Sequence, residues 1–165
     1  MTIEGHGDIA SALVDSDRNG FIFFASGVSN SREERESEYQ REKNLLLKQD
    51  KDKHLVYFGS LSVFYNKGRY QEHKLEMEQM VKDNFKNYTI IRLGNITWGD
   101  NPNTIINFFR KQKAVGQAFE VQDTERYVCT KDEFLHWIKL IPEWSCEMNV
   151  PGKRMKVIDI IKEYV

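Results

Sequence analysis

The sequence predicts an α/β fold in which a parallel sheet is covered by helices, and three observations carry that prediction. Uninterrupted apolar runs, "GFIFFASG" (20–27) and "HLVYFGSLSVF" (54–64), suit strands buried on both faces. Longer charged stretches with helical spacing lie between such runs. The two kinds of segment alternate without internal repeats, linkers or low-complexity stretches, which is the rhythm of crossover connections in a parallel sheet. A sheet of that kind binds ligands beyond the carboxyl ends of its strands.

The elements follow in order. "TIEGHGDIASALVD" (2–15) reads as a stub of strand, a glycine turn and a short helix, with Ile9, Ala10, Ala12 and Leu13 on one side. After the strand at 20–27, "NSREERESEYQREKNLLLKQD" (30–50) is a charged helix. Ser29, Asn30 or Ser31 could cap it, with Glu33 and Glu34 near its positive end. The strand "HLVYFGSLSVF" precedes the helix "RYQEHKLEMEQMVKDNF" (69–85), for which Leu75, Met80 and Val81 are the expected packing positions. "YTIIRLGNITWG" (88–99) is a third buried strand. "TIINFFRKQKAVG" (104–116) is a helix ended by its glycine. "AFEVQDTERYVC" (118–129) reads as extended, and "TKDEFLHWIKLI" (130–141) opens on a capping box from Thr130 to Glu133. "PGKRMKVIDIIKEYV" (151–165) is a turn and a last helix.

The 165 residues suit one domain with a sizeable core. A formal net charge of -1 provides no global field toward nucleic acid or an anionic membrane surface. No apolar run is long enough to span a bilayer, and "MTIEGHGDIA" lacks the basic-then-apolar order of a signal peptide. Cys129 and Cys146 are far apart, as expected of reduced thiols in a cytoplasmic protein. His6, His54, His73 and His136 show no metal-ligand spacing.

Four stretches could carry chemistry. In "GHGDIA" (5–10), Gly5, Gly7 and Ala10 match the G-x-G-x-x-G/A pattern between a strand and a helix. Gly5 would allow the tight turn, Gly7 the approach of a diphosphate, and Ala10 close packing of helix on strand. Asp8 would lie beside that anion, and the alternative is a turn that only connects. Ser60 and Ser62 fall late in or just after a strand, at the ligand end; the alternative is two small residues at a strand exit. Tyr70 and Lys74 lie four apart on one helix face. An ammonium near a phenol favours the phenolate and suits it to acid/base work; the alternative is a solvated helix start. Arg92 inside a strand needs a partner or a ligand, and Asn95 just beyond it could orient a polar substrate or simply end the strand.

In combination these stretches resemble the extended short-chain dehydrogenase/reductase family, the NAD-dependent epimerase/dehydratase group acting on nucleotide sugars. "HLVYFGSLSVF" is similar to the strand carrying that family's catalytic serine, "RYQEHK" to its Y-x-x-x-K helix, "IIRLGNITWG" to its arginine- and asparagine-bearing strand, and "FIFFASGVSNS" to its strand on the nicotinamide side. "RYVCTKDEFLHWI" (126–138) is similar to its late strand and helix start. The resemblance implies a Rossmann-like fold and a Ser60, Tyr70 and Lys74 catalytic set. Tyr70 would be the general acid/base, Lys74 would hold the cofactor ribose and promote the phenolate, and Ser60 would hydrogen-bond the reacting oxygen. Gly5, His6, Gly7, Asp8 and Ile9 would hold the diphosphate of NAD or NADP. Ala25, Ser26 and Gly27 would line the cofactor path, and Ser62 and Asn95 would face a nucleotide-sugar substrate. The resemblance also implies a homodimer through the helices at about 31–49 and 70–85, and a place in carbohydrate biosynthesis. No nucleic-acid or membrane partner and no metal are expected.

The chain departs from that family between the first helix and "FIFF". The family has two further strands there, together with the residue that reads the adenosine ribose; "DSDRNG" takes their place, and Asp15 and Asp17 stand too close to the glycines to substitute. The expected architecture is therefore a single reduced Rossmann-like domain (1–165) lacking the usual second and third strands, with a rudimentary substrate region at about 100–165. Two functions remain open: an NAD(P)-dependent reductase, epimerase or dehydratase, or a binding or dimerisation module that has lost the dinucleotide.

Overall fold

A computed structural model describes residues 2–16 and 18–165, so Asp17 lies outside the described residues. Five parallel strands form the main sheet in the order β1 (Thr2–Glu4), β2 (Phe21–Phe24), β3 (His54–Ser60), β4 (Tyr88–Leu93) and β7 (Cys146–Val150). A smaller mixed sheet joins β5 (Asn95–Ile96), β6 (Glu125–Cys129) and β8 (Lys153–Lys156). The helices are α1 (Asp8–Ala12), α2 (Glu36–Leu47), α3 (Arg69–Asn84), α4 (Ile105–Ala114), α5 (Lys131–Lys139) and α6 (Val157–Tyr164). A 3-10 turn, Leu61–Phe64, follows β3. The predicted reduced parallel sheet with flanking helices is the fold observed.

Alternation along β2 divides the core. Phe21 and Phe23 face a cluster with Leu13, Val56, Phe58, Ile91, Phe134 and Ile138, under α1 and α5. Ile22 and Phe24 face Leu46, Leu55, Tyr57, Met77, Val81 and Ile90, under α2 and α3. The strand order advances steadily from β1 to β4, yet α1 lies on one face and α2 and α3 on the other. The β1–α1–β2 crossover therefore has the opposite hand to the two that follow it, although one hand dominates such units. In a doubly wound sheet, the helix after the first strand leads outward to strands on its far edge. Here α1 keeps that place, residues 13–20 return directly to β2, and three-residue β1 is left at the sheet edge.

Several expectations need correction. The charged helix begins at Glu36, capped by Arg35 without a side-chain bond, and none of Ser29, Asn30 or Ser31 caps it. The preceding residues instead fold around Glu33, whose carboxylate accepts the N–H groups of Glu34 and Arg35, while the Tyr39 hydroxyl donates to its carbonyl at 2.7 Å. Leu75 is 48% exposed, because α3 buries His73, Lys74, Met77, Glu78 and Val81. The third strand is cut at Gly94, where a Cβ would lie 2.5 Å from the Pro151 carbonyl oxygen, and its second half crosses into the small sheet. Strands β7 and β8 were not anticipated. Burial alternates along β7, β8 buries only Met155, and each strand is completed by a neighbour distant in sequence. The capping box holds in part: the Thr130 hydroxyl accepts the Glu133 N–H at 3.2 Å.

Phe134 is fully enclosed, with Phe58 and Trp98 ring centroids 5.8 and 5.2 Å away. Phe134→Ala is expected to cost about 3–5 kcal/mol in urea denaturation, whereas Leu75→Ala is expected to stay within about 0.5 kcal/mol of the parent.

Candidate functional site

Parallel pairing brings the carboxyl ends of β1, β2 and β3 to one edge of the sheet, and with them the turn at Gly5, the loop from Ala25 and Ser60. The ladder continues past β2, the Ala25 N–H donating to Glu4 O at 2.8 Å. Gly5 is required here: its φ is +128°, and a Cβ would lie 2.5 Å from Ala25 O. Helix α3 then starts over this edge with Tyr70 and Lys74 in its first two turns.

Lys74 is buried, and its ammonium donates to Glu42 Oε1 and to the Tyr57 hydroxyl, each at 3.2 Å. Its Nζ lies 5.6 Å from the Tyr70 ring centroid, so the Tyr70–Lys74 neighbourhood predicted from helical spacing is formed. Glu42, on α2, is wholly buried and accepts four hydrogen bonds. Tyr57 OH (2.9 Å) and Lys74 reach Oε1; Val28 N–H (2.7 Å) and His73 Nε2 (2.9 Å) reach Oε2. Four donors fill a carboxylate's capacity, and because a carboxylate only accepts, the His73 bond fixes the proton on Nε2. Burial opposes the charge on Glu42, but Lys74, His73 and the Val28 N–H outweigh it and hold the carboxyl down at about 2. Burial likewise opposes the Lys74 charge, and Glu42 overcomes it, so the ammonium loses its proton less readily than an ordinary lysine. Burial, and then Glu42, push the Tyr57 phenol well up, leaving it a neutral donor. Gly27 closes over the pair: a Cβ there would lie 2.9 Å from both Glu42 Oε1 and Lys74 Nζ.

Ser60 and Ser62 share a second network. Their hydroxyl oxygens are 2.9 Å apart, Ser60 Oγ accepts the Ser62 N–H, and Ser62 Oγ accepts from Gln71 Nε2 at 3.2 Å. Either hydroxyl can donate across that contact; in the arrangement where Ser62 donates, the Ser60 proton is free for a ligand oxygen. Ser62 is thereby a partner of Ser60 in the same network.

The other expected residues are placed as follows. His6 and Gly7 are exposed, and a Cβ on Gly7 would meet nothing within 4 Å, so this turn is open to an approaching group. Asp8 turns its carboxylate to the N–H groups of Asp100 and Asn101, at 3.1 and 3.0 Å, and its carbonyl accepts Trp98 Nε1–H. Ile9 and Ala25 pack on the core. Ser26 accepts the Arg41 guanidinium at its carbonyl, 3.2 Å. Asn95 lies on β5 and donates its amide to Tyr127 O at 2.9 Å, so it ties the small sheet together. Arg92 is paired with Glu78 and Glu147, which answers its need for a partner inside the protein. A polar cleft of about 270 Å³ opens beside Gly27, lined among others by Val28, Ser29, Asn30, Arg41 and Asn103.

Glu42, Tyr57 and His73 were missed in the sequence. Glu42 looked like one charge among many on its helix. A signal exists in the spacing: Tyr39, Glu42 and Leu46 recur on one helical face and are the buried residues of α2. Among the described residues, no group of three or more His, Cys, Asp or Glu side chains is placed to hold a metal ion, and no helix is long and apolar enough to cross a membrane.

No family model matches the sequence, and no curated protein matches it. Solved structures share its fold. They include the Bordetella bronchiseptica enzyme WbmG in complex with NAD (TM-score 0.69, 15% identity, 87% of this chain and 54% of that one). The UDP-N-acetylglucosamine 4-epimerase from Methanobrevibacter ruminantium M1, in complex with UDP-N-acetylmuramic acid, matches with TM-score 0.63 and 16% identity over 94% of this chain and 61% of that one. A Bacillus cereus UDP-glucuronic acid 4-epimerase, in complex with NAD and a fluorinated UDP-sugar, gives 0.65 and 18% over 94% and 60%. The chain thus spans between half and two thirds of each of these proteins.

The depressed Glu42 carboxyl makes a signed prediction. Its contribution to stability is fully present above the ordinary value of 4.5 and is lost as pH falls toward about 2. Urea denaturation between pH 7 and pH 3 should show Glu42→Gln less stable at pH 7 and less sensitive to acid than the parent, so the two curves converge at low pH.

Proposed function

We propose that this chain is an NAD(P)-dependent oxidoreductase or epimerase acting on a hydroxyl or carbonyl of a nucleotide sugar. The observation that carries this reading is the arrangement at the sheet edge. Ser60 ends β3, and Tyr70 sits on the next helix with its ring 5.6 Å from the buried Lys74 cation. The named complexes of the structurally similar enzymes, with NAD and with UDP-sugars, support the choice of cofactor and substrate class.

The residues present fit one half of a dinucleotide better than the other. Gly7 leaves open space, and Gly27 has no side chain beside Lys74, so the glycine turn, Gly27, Tyr70 and Lys74 would hold the nicotinamide nucleotide. Among the described residues, the strands that would carry the adenosine half have no counterpart between α1 and β2. Bound there, the nicotinamide supplies the hydride acceptor or donor that no side chain can provide. The chain's own residues do the rest. Ser60, with Ser62 donating to it, gives its proton to the reacting oxygen and orients it. Tyr70 removes or returns the hydroxyl proton, and the Lys74 charge stabilises the phenolate that results. Residues from about 100 to 165 would form the substrate region, and the α2 and α3 helices a homodimer contact.

A non-catalytic module is the second reading, and one observation favours it: the Lys74 ammonium is already engaged by Glu42 and Tyr57.

Calorimetric titration with NADH and NADPH, followed by turnover of UDP-sugars, separates the two. The enzyme should bind a dinucleotide. Tyr70→Phe keeps the ring and loses only the hydroxyl contact, so that affinity should fall by no more than about tenfold while kcat falls by about 10²–10⁴. No heat at millimolar dinucleotide, together with an unchanged biological readout in Tyr70→Phe, would establish the module instead.

A further inference from the structure

We propose that Glu42 is an internal competitor for Lys74: its carboxylate closes the site in a self-neutralised state, and an anionic or polyhydroxyl ligand gains Lys74 only by displacing it. The inference rests on the reading that a ligand is bound at this edge, but it concerns residues that reading does not use.

Three features of the geometry support it. First, Glu42 comes from a different helix and takes the Lys74 ammonium at 3.2 Å, while Tyr57 takes a second Lys74 N–H at the same distance. Second, the same carboxylate fastens the loop above. Val28 N–H donates to Oε2 at 2.7 Å, and the bare Gly27 Cα lies directly over the pair, so holding Lys74 and shutting the loop are one act. Third, the closed pair touches Gly27 and Val28, two residues that line the polar cleft, so a ligand in that cleft would lie across Gly27 from Lys74.

The electrostatics set the direction of the effect. The Glu42–Lys74 pair sums to zero charge, and the cleft beside it is lined by two carboxylates, Glu33 and Glu38, and two guanidinium groups, Arg35 and Arg41; neutralising Glu42 adds one uncompensated positive charge behind Gly27 and tips that balance toward an anion. A buried cation without its counter-ion either opens to solvent or gives up its proton. Opening to solvent exposes the amine and keeps its charge for an anion, and it is the response the inference requires.

Lys74 can be read without any ligand. The folded protein is treated with formaldehyde and cyanoborohydride, and dimethylation of the peptide containing Lys74 is followed by mass spectrometry. In the parent, Lys74 should react more slowly than exposed lysines such as Lys153; in Glu42→Gln it should react about tenfold faster, with Lys153 unchanged. NADH affinity, read by calorimetry, should rise about tenfold in the same variant. Equal Lys74 reactivity in the two proteins would overturn the inference, as would faster reaction accompanied by weaker NADH binding. If Lys74 is unmasked but neither protein binds NADH, the masking stands and the dinucleotide reading of the previous section fails. Should Glu42→Gln not fold, Tyr57→Phe removes one donor to Glu42 and the second acceptor for Lys74. A severalfold gain in Lys74 reactivity there supports the inference, and no gain overturns it.

Discussion

The Glu42 carboxylate has no access to water and is surrounded by donors from three other parts of the chain: Val28 in the loop after β2, Tyr57 on β3, and His73 and Lys74 on α3. Burying a charge is costly, and removing one partner of a buried pair typically costs about 3–5 kcal/mol because the other is left uncompensated. Each of the elements around Glu42 is therefore held in register with the others. The separation of α2 and α3, the absence of a side chain at Gly27, the neutral phenol of Tyr57 and the position of Lys74 beside Tyr70 all follow from satisfying this one group. The apolar contacts beneath, from Leu46, Tyr57, Met77 and Val81, supply the bulk of the burial but would tolerate small shifts that four hydrogen bonds to one carboxylate do not.

A second constraint comes from the sheet edge. Helix α1 stays on the face it would occupy if strands followed beyond β1, but the chain turns back after it, giving a crossover of reversed hand. Everything to the β2 side of this point is built as in a doubly wound sheet, with Ser60, Tyr70 and Lys74 at the ligand edge. On the far side of β1, the main sheet has no further strand among the described residues. Asp8 further ties the glycine turn to residues 100 and 101, so the turn is braced from within. The architecture thus carries a complete set of polar contacts at the carboxyl ends of β2 and β3 and little structure beyond β1.

Much of this was legible in the sequence where a physical signal was local. Continuous apolar runs located β2, β3 and β4, and the i, i+4 spacing of Tyr70 and Lys74 survived as a contact. The gap after α1 could be read from its length alone. What was not legible depends on distant partners. The split at Gly94 is set by the Pro151 carbonyl, 57 positions away, and β7 and β8 are strands only because β4 and β6 pair with them. Apolarity points to Leu75 on α3, but the buried face there carries His73, Lys74 and Glu78 beside Met77 and Val81, because it packs around buried charges. The Asn95 amide N–H goes to Tyr127 O, a partner 32 positions on that its place after a strand does not reveal. Glu42 was invisible as a functional residue because its counter-ion lies 32 positions on; only its place on the Tyr39–Leu46 face marks it.

The buried ion pair is the centre of this account, and its most direct test is a ¹H–¹⁵N correlation spectrum of the lysine side-chain ammonium groups at neutral pH and room temperature. Surface ammonium protons exchange with water too fast to be seen under those conditions. A Lys74 ammonium donating to Glu42 and Tyr57 beneath Gly27 should give one sharp, slowly exchanging signal, assigned by its disappearance in Lys74→Met. A Lys74 ammonium as invisible as the surface lysines would mean that the pair is open to solvent and that Glu42 does not organise this edge of the sheet.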